Sequence, residues 1–387
     1  MTAGRQDPDP PDLNRLYAAI DSARNFYIQQ LHTLPDHGGP RGYLRDRCRD
    51  RQLLDAWQLG YAPPGWTRLI DHLRGRGHTD TDLIDAGLAL RTRRGAVVDR
   101  FRDRLLAPYH DDRGRPVGFV GRAAPTVAPQ VPRYLFHKHQ HLLGLQTALP
   151  MLDKAAVPVL VEGLFDALAV TSASNGRWVG IAPSGTALTQ DQVQALDTAV
   201  PMAARGIIVA YDNDPAGQTA AARTFPLLAA TGAWPQHAIP DHGSDPAQMH
   251  PDALREALAE AHRRPLVTLT LGGTIAQHAG QLDHPGGRAA CANALADALA
   301  PSPDRTRIAR LLPAAAELIG CTPAQLSRVL DRRRTHQTAS SGCPEQPPVT
   351  GTEIGQVKQD AGQPARLLDR PTARPTRPTR PTRQLTR

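Results

Sequence analysis

The first third of the chain changes from a helical to an extended pattern of apolar residues. Apolar side chains recur at helical spacing over residues 11–33, which predicts an amphipathic helix. Residues 43–60 have the same character, and the Pro-Pro-Gly sequence at residues 63–65 ends it. Residues 97–122 favour strands, and the Asp-Asp-Arg-Gly sequence at residues 111–114 predicts a hairpin turn between them.

The middle of the chain alternates short apolar runs with Ala-rich helical stretches. The apolar runs cover residues 157–161, 179–182 and 207–211. Short apolar runs separated by helical segments predict a parallel sheet with crossover helices. Beyond this region the pattern is helical, and residues 266–271 are the one stretch there that could also be extended.

These patterns predict an α/β protein with three folded parts. An α+β subdomain covers residues 11–150, an α/β parallel-sheet domain covers residues 155–248, and a helical bundle covers residues 249–335. Residues 336–387 are rich in Pro, Gly, Thr and Gln and end in Arg-Pro-Thr repeats. This composition is typical of a disordered segment.

Composition excludes several classes of protein. No run of about 18 apolar residues occurs, so we expect no membrane span. The polar, acidic N-terminus does not resemble a signal peptide, and we expect a cytoplasmic protein. The chain has four cysteines, and none lies two to four residues from another. We therefore expect neither a Cys-rich zinc site nor a disulfide framework.

The positive charge is concentrated at the C-terminal end. The net charge is +8, and residues 364–387 contain seven arginines and one aspartate, which leaves +6 there and about +2 for the rest. The high isoelectric point is therefore mostly a property of this segment, and it does not by itself indicate that the folded part binds nucleic acid.

Acidic residues follow two of the predicted parallel strands. Glu162 comes directly after the first run, and Asp212 and Asp214 come after the third. Since the carboxyl ends of parallel strands lie at the same edge of a sheet, we expect these side chains to lie close together. Asp166 lies one helical turn beyond Glu162 and can face the same space. A glutamate at a strand end is usually only solvated, and an Asp-x-Asp-x-x-Gly sequence is often only a turn, but the two together indicate a site more specifically than either does alone.

Further acidic residues and glycines belong to the same predicted edge. Asp241 and Asp245 follow a last short run of apolar residues. Gly163 and Gly217 would allow the backbone to approach a phosphate closely. Carboxylates without nearby Cys or His favour Mg²⁺ or Mn²⁺, which can stabilise the attacking and leaving oxygens in phosphoryl transfer.

Three arginines alternate along the predicted extended segment. Arg100, Arg102 and Arg104 would share one face of a strand. A row of guanidinium groups suits a nucleic-acid backbone or a nucleotide triphosphate. The alternative is a solvated edge strand, because charged side chains protect sheet edges from pairing.

The acidic pattern resembles the Toprim family. That family has Glu-Gly after one strand and Asp-x-Asp after another, which match Glu162-Gly163 and Asp212-Asn213-Asp214 here. Toprim domains occur in primases, topoisomerases, recombination proteins and some nucleases, so the flanking sequence must decide between them.

The flanking sequence resembles bacterial primases of the DnaG type, in matching order over about residues 12–335. The similar segments are Gly-Tyr-Ala-Pro-Pro-Gly-Trp at 60–66, Asp-Arg-Phe-Arg-Asp-Arg at 99–104, Gly-Phe-Val-Gly-Arg at 118–122, Arg-Tyr-Leu at 133–135, Phe-His-Lys at 136–138, Leu-Gly-Leu at 143–145, Leu-Asp-His-Pro-Gly-Gly-Arg at 282–288 and Ile-Gly-Cys at 319–321.

The resemblance implies RNA primer synthesis on single-stranded DNA from ribonucleoside triphosphates. Residues 155–248 would then be a Toprim metal-binding catalytic domain, and Arg122, Arg133 and Lys138 would extend the basic, template-binding surface. The metal would be Mg²⁺ or Mn²⁺, with no zinc. A Toprim-type nuclease and a non-catalytic nucleic-acid-binding replication protein remain as alternatives.

The chain departs from the family's pattern in three respects. The family usually begins with a zinc-ribbon module and ends in a helicase-binding domain, and neither is expected here. A replicative helicase or a separate initiation protein is therefore a candidate partner for initiation. Within the site, the family pattern Asp-Gly-x-Asp-Pro-Asp has Ala247 at its last acidic position.

Overall fold

The computed structural model describes most of the chain. The described residues are 12–48, 50–123, 131–136, 141–183, 187–239 and 245–340. Three parts of the sequence prediction lie outside the described residues, namely the tail from residue 341 onwards, Asp241 and Lys138. None of the described helices is long and apolar enough to cross a membrane.

The first part of the chain combines helices with antiparallel strands. Its helices are α1 (Leu13–His32), α2 (Gly39–Arg47), α3 (Arg51–Ala56), α4 (Arg68–Arg74), α5 (Asp80–Asp85) and α6 (Leu145–Asp153). Its strands are β1 (Gly60–Ala62), β2 (Ala89–Arg91), β3 (Val97–Asp99), β4 (Arg104–His110), β5 (Pro116–Ala123) and β6 (Tyr134–Phe136). The single helix predicted over residues 43–60 is two helices, because the chain turns at Cys48 and Asp50 starts α3 by accepting a hydrogen bond from Leu53 N (3.0 Å).

The predicted hairpin is confirmed. Strands β4 and β5 pair antiparallel within a sheet of order β1-β4-β5-β6. Asp111 organises the turn, because its Oδ1 accepts hydrogen bonds from the backbone N–H groups of Arg113 (3.0 Å) and Arg115 (2.9 Å). Strands β2 and β3 form a separate two-stranded sheet.

The predicted parallel sheet is also confirmed. Its elements are β7 (Val157–Leu160), α7 (Leu164–Ala173), β8 (Trp178–Ile181), α8 (Gln190–Ala199), α9 (Met202–Arg205), β9 (Ile208–Val209), α10 (Pro215–Ala229) and β10 (Gln236–His237). All pairings are parallel, in the order β10-β9-β7-β8. Strands β7, β8 and β9 are apolar and covered by helices, as all-parallel sheets require.

The last described part is helical. It contains α11 (Pro251–Glu260), α12 (Leu266–His278), α13 (Pro285–Leu299), α14 (Arg305–Ile319) and α15 (Pro323–Ser340). The ambiguous residues 266–271 begin α12, where the hydroxyl of Thr270 donates to Ala222 O (3.0 Å) in α10. The mixed α/β fold class is therefore confirmed, whereas the domain boundaries predicted from the sequence stay predictions.

Two apolar clusters cover the two sides of the parallel sheet. In one cluster, Leu164 and Phe165 of α7 pack with Leu105 and Val120 of the antiparallel sheet. In the other, α10 packs with the C-terminal helices through residues such as Phe225. The first cluster brings the antiparallel sheet against the carboxyl ends of β7 and β9.

Candidate active site

The acidic residues lie where the connections of the parallel sheet change direction. The chain passes from β7 through α7 to β8 on one side, and from β9 through α10 to β10 on the other. The adjacent carboxyl ends of β7 and β9 therefore form a topological switch point, where α/β sheets bind ligands. Glu162 follows β7 and Asp212 follows β9, so these two carboxylates border that crevice.

Four carboxylates line one cavity of about 200 Å³ at this point, namely those of Glu162, Asp166, Asp212 and Asp245. Glu162 Oε1 accepts a hydrogen bond from Asp212 N (3.3 Å), which ties the two strand ends together. Asp166 lies in the first turn of α7, and its Oδ1 accepts from Ala247 N (3.3 Å). The predicted neighbourhood of these acids is thus present in the structure, and Ala247 lies in the same cavity wall.

Burial and mutual repulsion raise the pKa values of three of these groups. Burial, followed by the charges of Asp245 and Asp212, raises the pKa of Asp166 to about 7. Burial and the charge of Glu162 raise the pKa of Asp212 to about 7 as well. Burial, with the charges of Asp214 and Asp245, raises the pKa of Glu162. Two carboxylates 4 Å apart repel by about 4 kcal/mol at an effective dielectric of about 20, so the cluster favours protons or cations.

The donor set fits a divalent cation with a preference for oxygen. Asp212 Oδ1 and Asp245 Oδ1 are buried and have no hydrogen-bond partner among the described residues. Unsatisfied carboxylate oxygens of this kind are the hard donors that Mg²⁺ and Mn²⁺ take. Over the described ranges, however, no three acidic, His or Cys groups stand in an arrangement ready to hold a metal. The oxygens would therefore have to adjust around an ion.

Asp214 and the two glycines have local structural roles. Asp214 caps α10, with its Oδ1 accepting from Gly217 N (2.7 Å). A Cβ on Gly217 would lie 2.2 Å from Asp212 O and 3.0 Å from Glu162 Oε1. The loop's own backbone thus leaves no room for a side chain at Gly217, and the close approach of a phosphate stays a prediction. A Cβ on Gly163 would meet Asp166 Oδ2 at an ordinary 3.5 Å.

Basic side chains line the same cavity. Arg122 and Arg133, both predicted, lie there together with Arg47 of α2. None of the three forms an ion pair with a carboxylate of the described residues. Among the described residues, guanidinium groups without an ion pair therefore share one small cavity with carboxylates that also lack one.

The prediction that Arg100, Arg102 and Arg104 share one face of a strand is wrong. Residues 100–103 connect β3 to β4 and are not a strand. Asp99 turns the chain at one end of this link, since its carboxylate accepts from Leu69 N (2.9 Å) and Ile70 N (3.1 Å). Side-chain bonds to the backbone thus override the alternating pattern.

At the other end of the link, Asp103 adopts a left-handed conformation. Its φ is 49°, and its carboxylate accepts the hydroxyl of Tyr61 at 2.6 Å. Arg100 is half-buried, and burial lowers its pKa. Arg102 lies over the ring of Trp66, with its guanidinium carbon 4.5 Å from the centroid.

Arg104 is a buried residue of the antiparallel sheet. It is 2% exposed, and its guanidinium donates to Gly121 O (3.3 Å), Pro132 O (2.8 Å) and Arg133 O (3.3 Å). Direct contact with nucleic acid does not suit so enclosed a side chain. Arg104 instead fixes the segment that carries Arg133 to the cavity.

Sequence reasoning missed Arg47 and its neighbour Tyr43. They are four residues apart on α2, so they share a helix face. An arginine one turn after a tyrosine is a detectable signal, but nothing in the sequence indicates that this face meets the carboxylates.

Two families match adjacent parts of the chain. Residues 26–149 match the family described as DNA primase catalytic core, N-terminal domain. Residues 159–250 match the Toprim-like family, and this range contains all the predicted acidic residues.

Solved structures decide the overall assignment. The Escherichia coli primase catalytic core aligns with a TM-score of 0.65 at 29% identity, covering 79% of this chain and 98% of that one. The chain carries a DnaG-type primase catalytic core. A DnaG primase catalytic domain bound to single-stranded DNA aligns with a TM-score of 0.64 at 28% identity, over 79% of this chain and 98% of that one.

Full-length primases match this core over part of their length. The DNA primase of Streptomyces coelicolor is 34% identical over 296 residues, which are 74% of this chain and 45% of that protein. The DNA primase of Escherichia coli is 34% identical over 217 residues, or 54% of this chain and 36% of that protein. The chain thus spans less than half the length of these relatives.

Proposed function

We propose that this chain is a DNA primase that synthesises short RNA primers on single-stranded DNA by divalent-metal-dependent nucleotidyl transfer. One observation carries the proposal, which is that a single cavity is lined by arginines and carboxylates that form no ion pair among the described residues, with two carboxylate oxygens left unsatisfied. A nucleoside triphosphate with a divalent cation presents both complementary charges. The primase relatives and the matched families support the same reaction.

The carboxylates would hold the metal in this proposal. Glu162, Asp166, Asp212 and Asp245 line the cavity and would supply the oxygens, and Asp214 lies close enough for its charge to act on Glu162. Bound Mg²⁺ or Mn²⁺ would stabilise the charge that develops on the triphosphate. The raised pKa values indicate that free carboxylates would take up protons near neutral pH unless a cation replaces them.

The arginines would bind the phosphate groups. Guanidinium groups donate in a planar fork that matches phosphate oxygens. The cavity of about 200 Å³ is smaller than the roughly 300–1,000 Å³ typical of pockets for whole ligands. We therefore expect the phosphates to enter it, while the base remains outside, where it can pair with a template.

Trp66 is a candidate contact for the template. It is 53% exposed, and Arg102 lies over its ring. Exposed aromatic rings beside cations are typical of single-strand binding surfaces, where one stacked base contributes about 1–3 kcal/mol. A helicase or initiation protein as partner stays a prediction from the sequence.

A single assay distinguishes the candidate functions. Purified protein is incubated with single-stranded DNA, ribonucleotides and Mg²⁺ or Mn²⁺, and the products are separated by size. RNA synthesis that Glu162→Gln abolishes and Glu317→Gln retains supports the proposal; Glu317 is an exposed glutamate of α14. Cleavage of the DNA would indicate a Toprim-type nuclease, and DNA binding without either reaction would indicate a non-catalytic protein.

A further inference from the structure

Three aromatic rings enclose Arg122. Its guanidinium carbon lies 4.6 Å from the ring centroid of Phe165, 4.9 Å from that of Tyr43 and 5.8 Å from that of Tyr134. The residue is only 7% exposed. A buried cation normally needs a carboxylate partner, and the described residues provide none for Arg122. The rings therefore take the place of an ion-pair partner.

Tyr43 is shared between two of the cavity arginines. The guanidinium carbon of Arg47 lies 5.1 Å from the same ring centroid, within the range of a cation–π contact. The ring also meets Phe165 of α7 edge-on, with centroids 5.4 Å apart and planes at 79°. Tyr43 thus contacts Arg47 on its own helix, Arg122 on β5 and the helix that carries Asp166.

The aromatic contacts leave the charge of both arginines available. An arginine paired with a carboxylate of the site would be neutralised, and it would withdraw an oxygen from the metal. The negative face of an aromatic ring attracts a cation without forming an ion pair. The guanidinium donors therefore stay directed to a ligand, although the two positive groups lie close to one ring.

We propose that Tyr43 is a positioning residue whose ring holds Arg47 and Arg122 in place to bind the phosphates of the incoming nucleotide. The identity of that ligand rests on the proposed function. The ring, and not the hydroxyl, carries this role. Tyr43 Oη is buried and has no hydrogen-bond partner among the described residues, so it contributes no contact that the ring arrangement needs.

Two substitutions separate the ring from the hydroxyl. Tyr43→Leu removes both cation–π contacts, whereas Tyr43→Phe keeps them and removes only the unpaired hydroxyl. Tyr17 is a matched control, because Arg115 stacks on its ring at 4.0 Å and neither residue lines the cavity. Tyr17→Leu therefore measures the general effect of losing a stacked tyrosine.

The measurements are the KM and kcat for a ribonucleotide and the Kd for inorganic triphosphate in Mg²⁺. For Tyr43→Leu we expect KM and Kd to rise about tenfold, equivalent to about 1.4 kcal/mol, with little change in kcat. Tyr43→Phe should retain both values and unfold at the same or a slightly higher temperature. Tyr17→Leu should change neither KM nor Kd.

Each result decides the proposal. Equal losses in Tyr43→Phe and Tyr43→Leu would show that the hydroxyl binds the ligand, and unchanged values in Tyr43→Leu would show that the ring is dispensable; both overturn it. If Tyr43→Leu does not fold, Arg47→Lys replaces it, since lysine keeps the charge but loses the planar stack. The proposal then requires an impaired Arg47→Lys beside an intact Tyr43→Phe, and the reverse overturns it.

The triphosphate measurement also separates this inference from the proposed reaction. A wild-type protein that makes no RNA but binds inorganic triphosphate in a Tyr43-dependent manner would contradict primer synthesis and support the positioning role. A wild-type protein that makes RNA, with unchanged binding and KM in Tyr43→Leu, would contradict the positioning role alone.

Discussion

The carboxylate cluster should make the metal-free protein less stable as the pH rises. Asp166 and Asp212 have pKa values of about 7 in the folded protein and an ordinary value of 3.8 when exposed. Between these values the folded state binds more protons than the unfolded state, so the free energy of unfolding decreases with pH. The stabilisation is fully present below 3.8 and is lost as the pH rises through about 7.

The expected size of the effect follows from the shift at Asp166. A rise from 3.8 to about 7 is about three pKa units, or about 4 kcal/mol at about 1.4 kcal/mol per unit. Roughly half of this, about 2 kcal/mol, should be lost between about pH 5.5 and about pH 8. Asp212 acts in the same direction, and the two groups repel each other, so their effects are not simply additive.

Glu162→Gln isolates this contribution from the titration of other groups. Glu162 is the foremost charge among those that raise the pKa of Asp212, so its removal should lower that pKa. The glutamine oxygen can still accept the hydrogen bond from Asp212 N. We expect the variant to be more stable than wild type by about 1–2 kcal/mol at about pH 8 and by less at about pH 5.5.

Urea unfolding with a chelator at both pH values measures these differences, and Glu317→Gln is the control for a glutamate outside the site. Adding Mn²⁺ should stabilise the wild type more at the higher pH, because protons compete for the same oxygens at the lower one. A wild-type stability that rises with pH relative to Glu162→Gln would refute the argument. So would equal stabilisation by metal at both pH values.

Three further predictions concern the site and the tail. Gly217→Ala should destabilise the protein by about 1–3 kcal/mol in urea unfolding, because the added Cβ would overlap Asp212 O. Gly163→Ala is the control and should not destabilise it, because a Cβ there makes ordinary contacts; equal losses of stability in the two variants would contradict this prediction. Deleting residues 364–387, with their seven arginines, should weaken binding of single-stranded DNA and flatten its salt dependence without ending RNA synthesis. An unchanged salt slope would refute a contact between this segment and the DNA. Ala247→Asp should lower the Mg²⁺ concentration for half-maximal synthesis, whereas superimposable titrations would separate Ala247 from the metal site.

The acidic half of the site was predictable because local rules determine it. Short apolar runs between helices specify parallel strands, and parallel strands place their carboxyl ends together. Glu162 and Asp212 could therefore be assigned to one crevice from their positions after two runs. The raised pKa values of these two residues could not be predicted from the sequence, because they depend on how deeply the antiparallel sheet buries the crevice.

The basic link was mispredicted because alternation is a weak signal in a short segment. Arg100, Arg102 and Arg104 have the period of a strand, but Asp99 and Asp103 on either side bind distant groups. These bonds join residues about 30 and 42 positions apart in the chain, and no local pattern encodes such partners. The same geometry places Arg104 in the interior.

The arginines of the cavity come together through contacts between segments that are distant in the sequence. Arg47, Arg122 and Arg133 come from α2, from β5 and from the residue before β6. The pairing of β5 with β6, and the packing of Phe165 against both the antiparallel sheet and Tyr43 of α2, bring them to one cavity. Since the chain up to residue 363 carries a net charge of only about +2, this group of arginines could not be predicted from the net charge. What concentrates positive charge at the carboxylates is the non-local apolar packing, so substitutions in that packing should affect nucleotide binding even where no charged residue is changed.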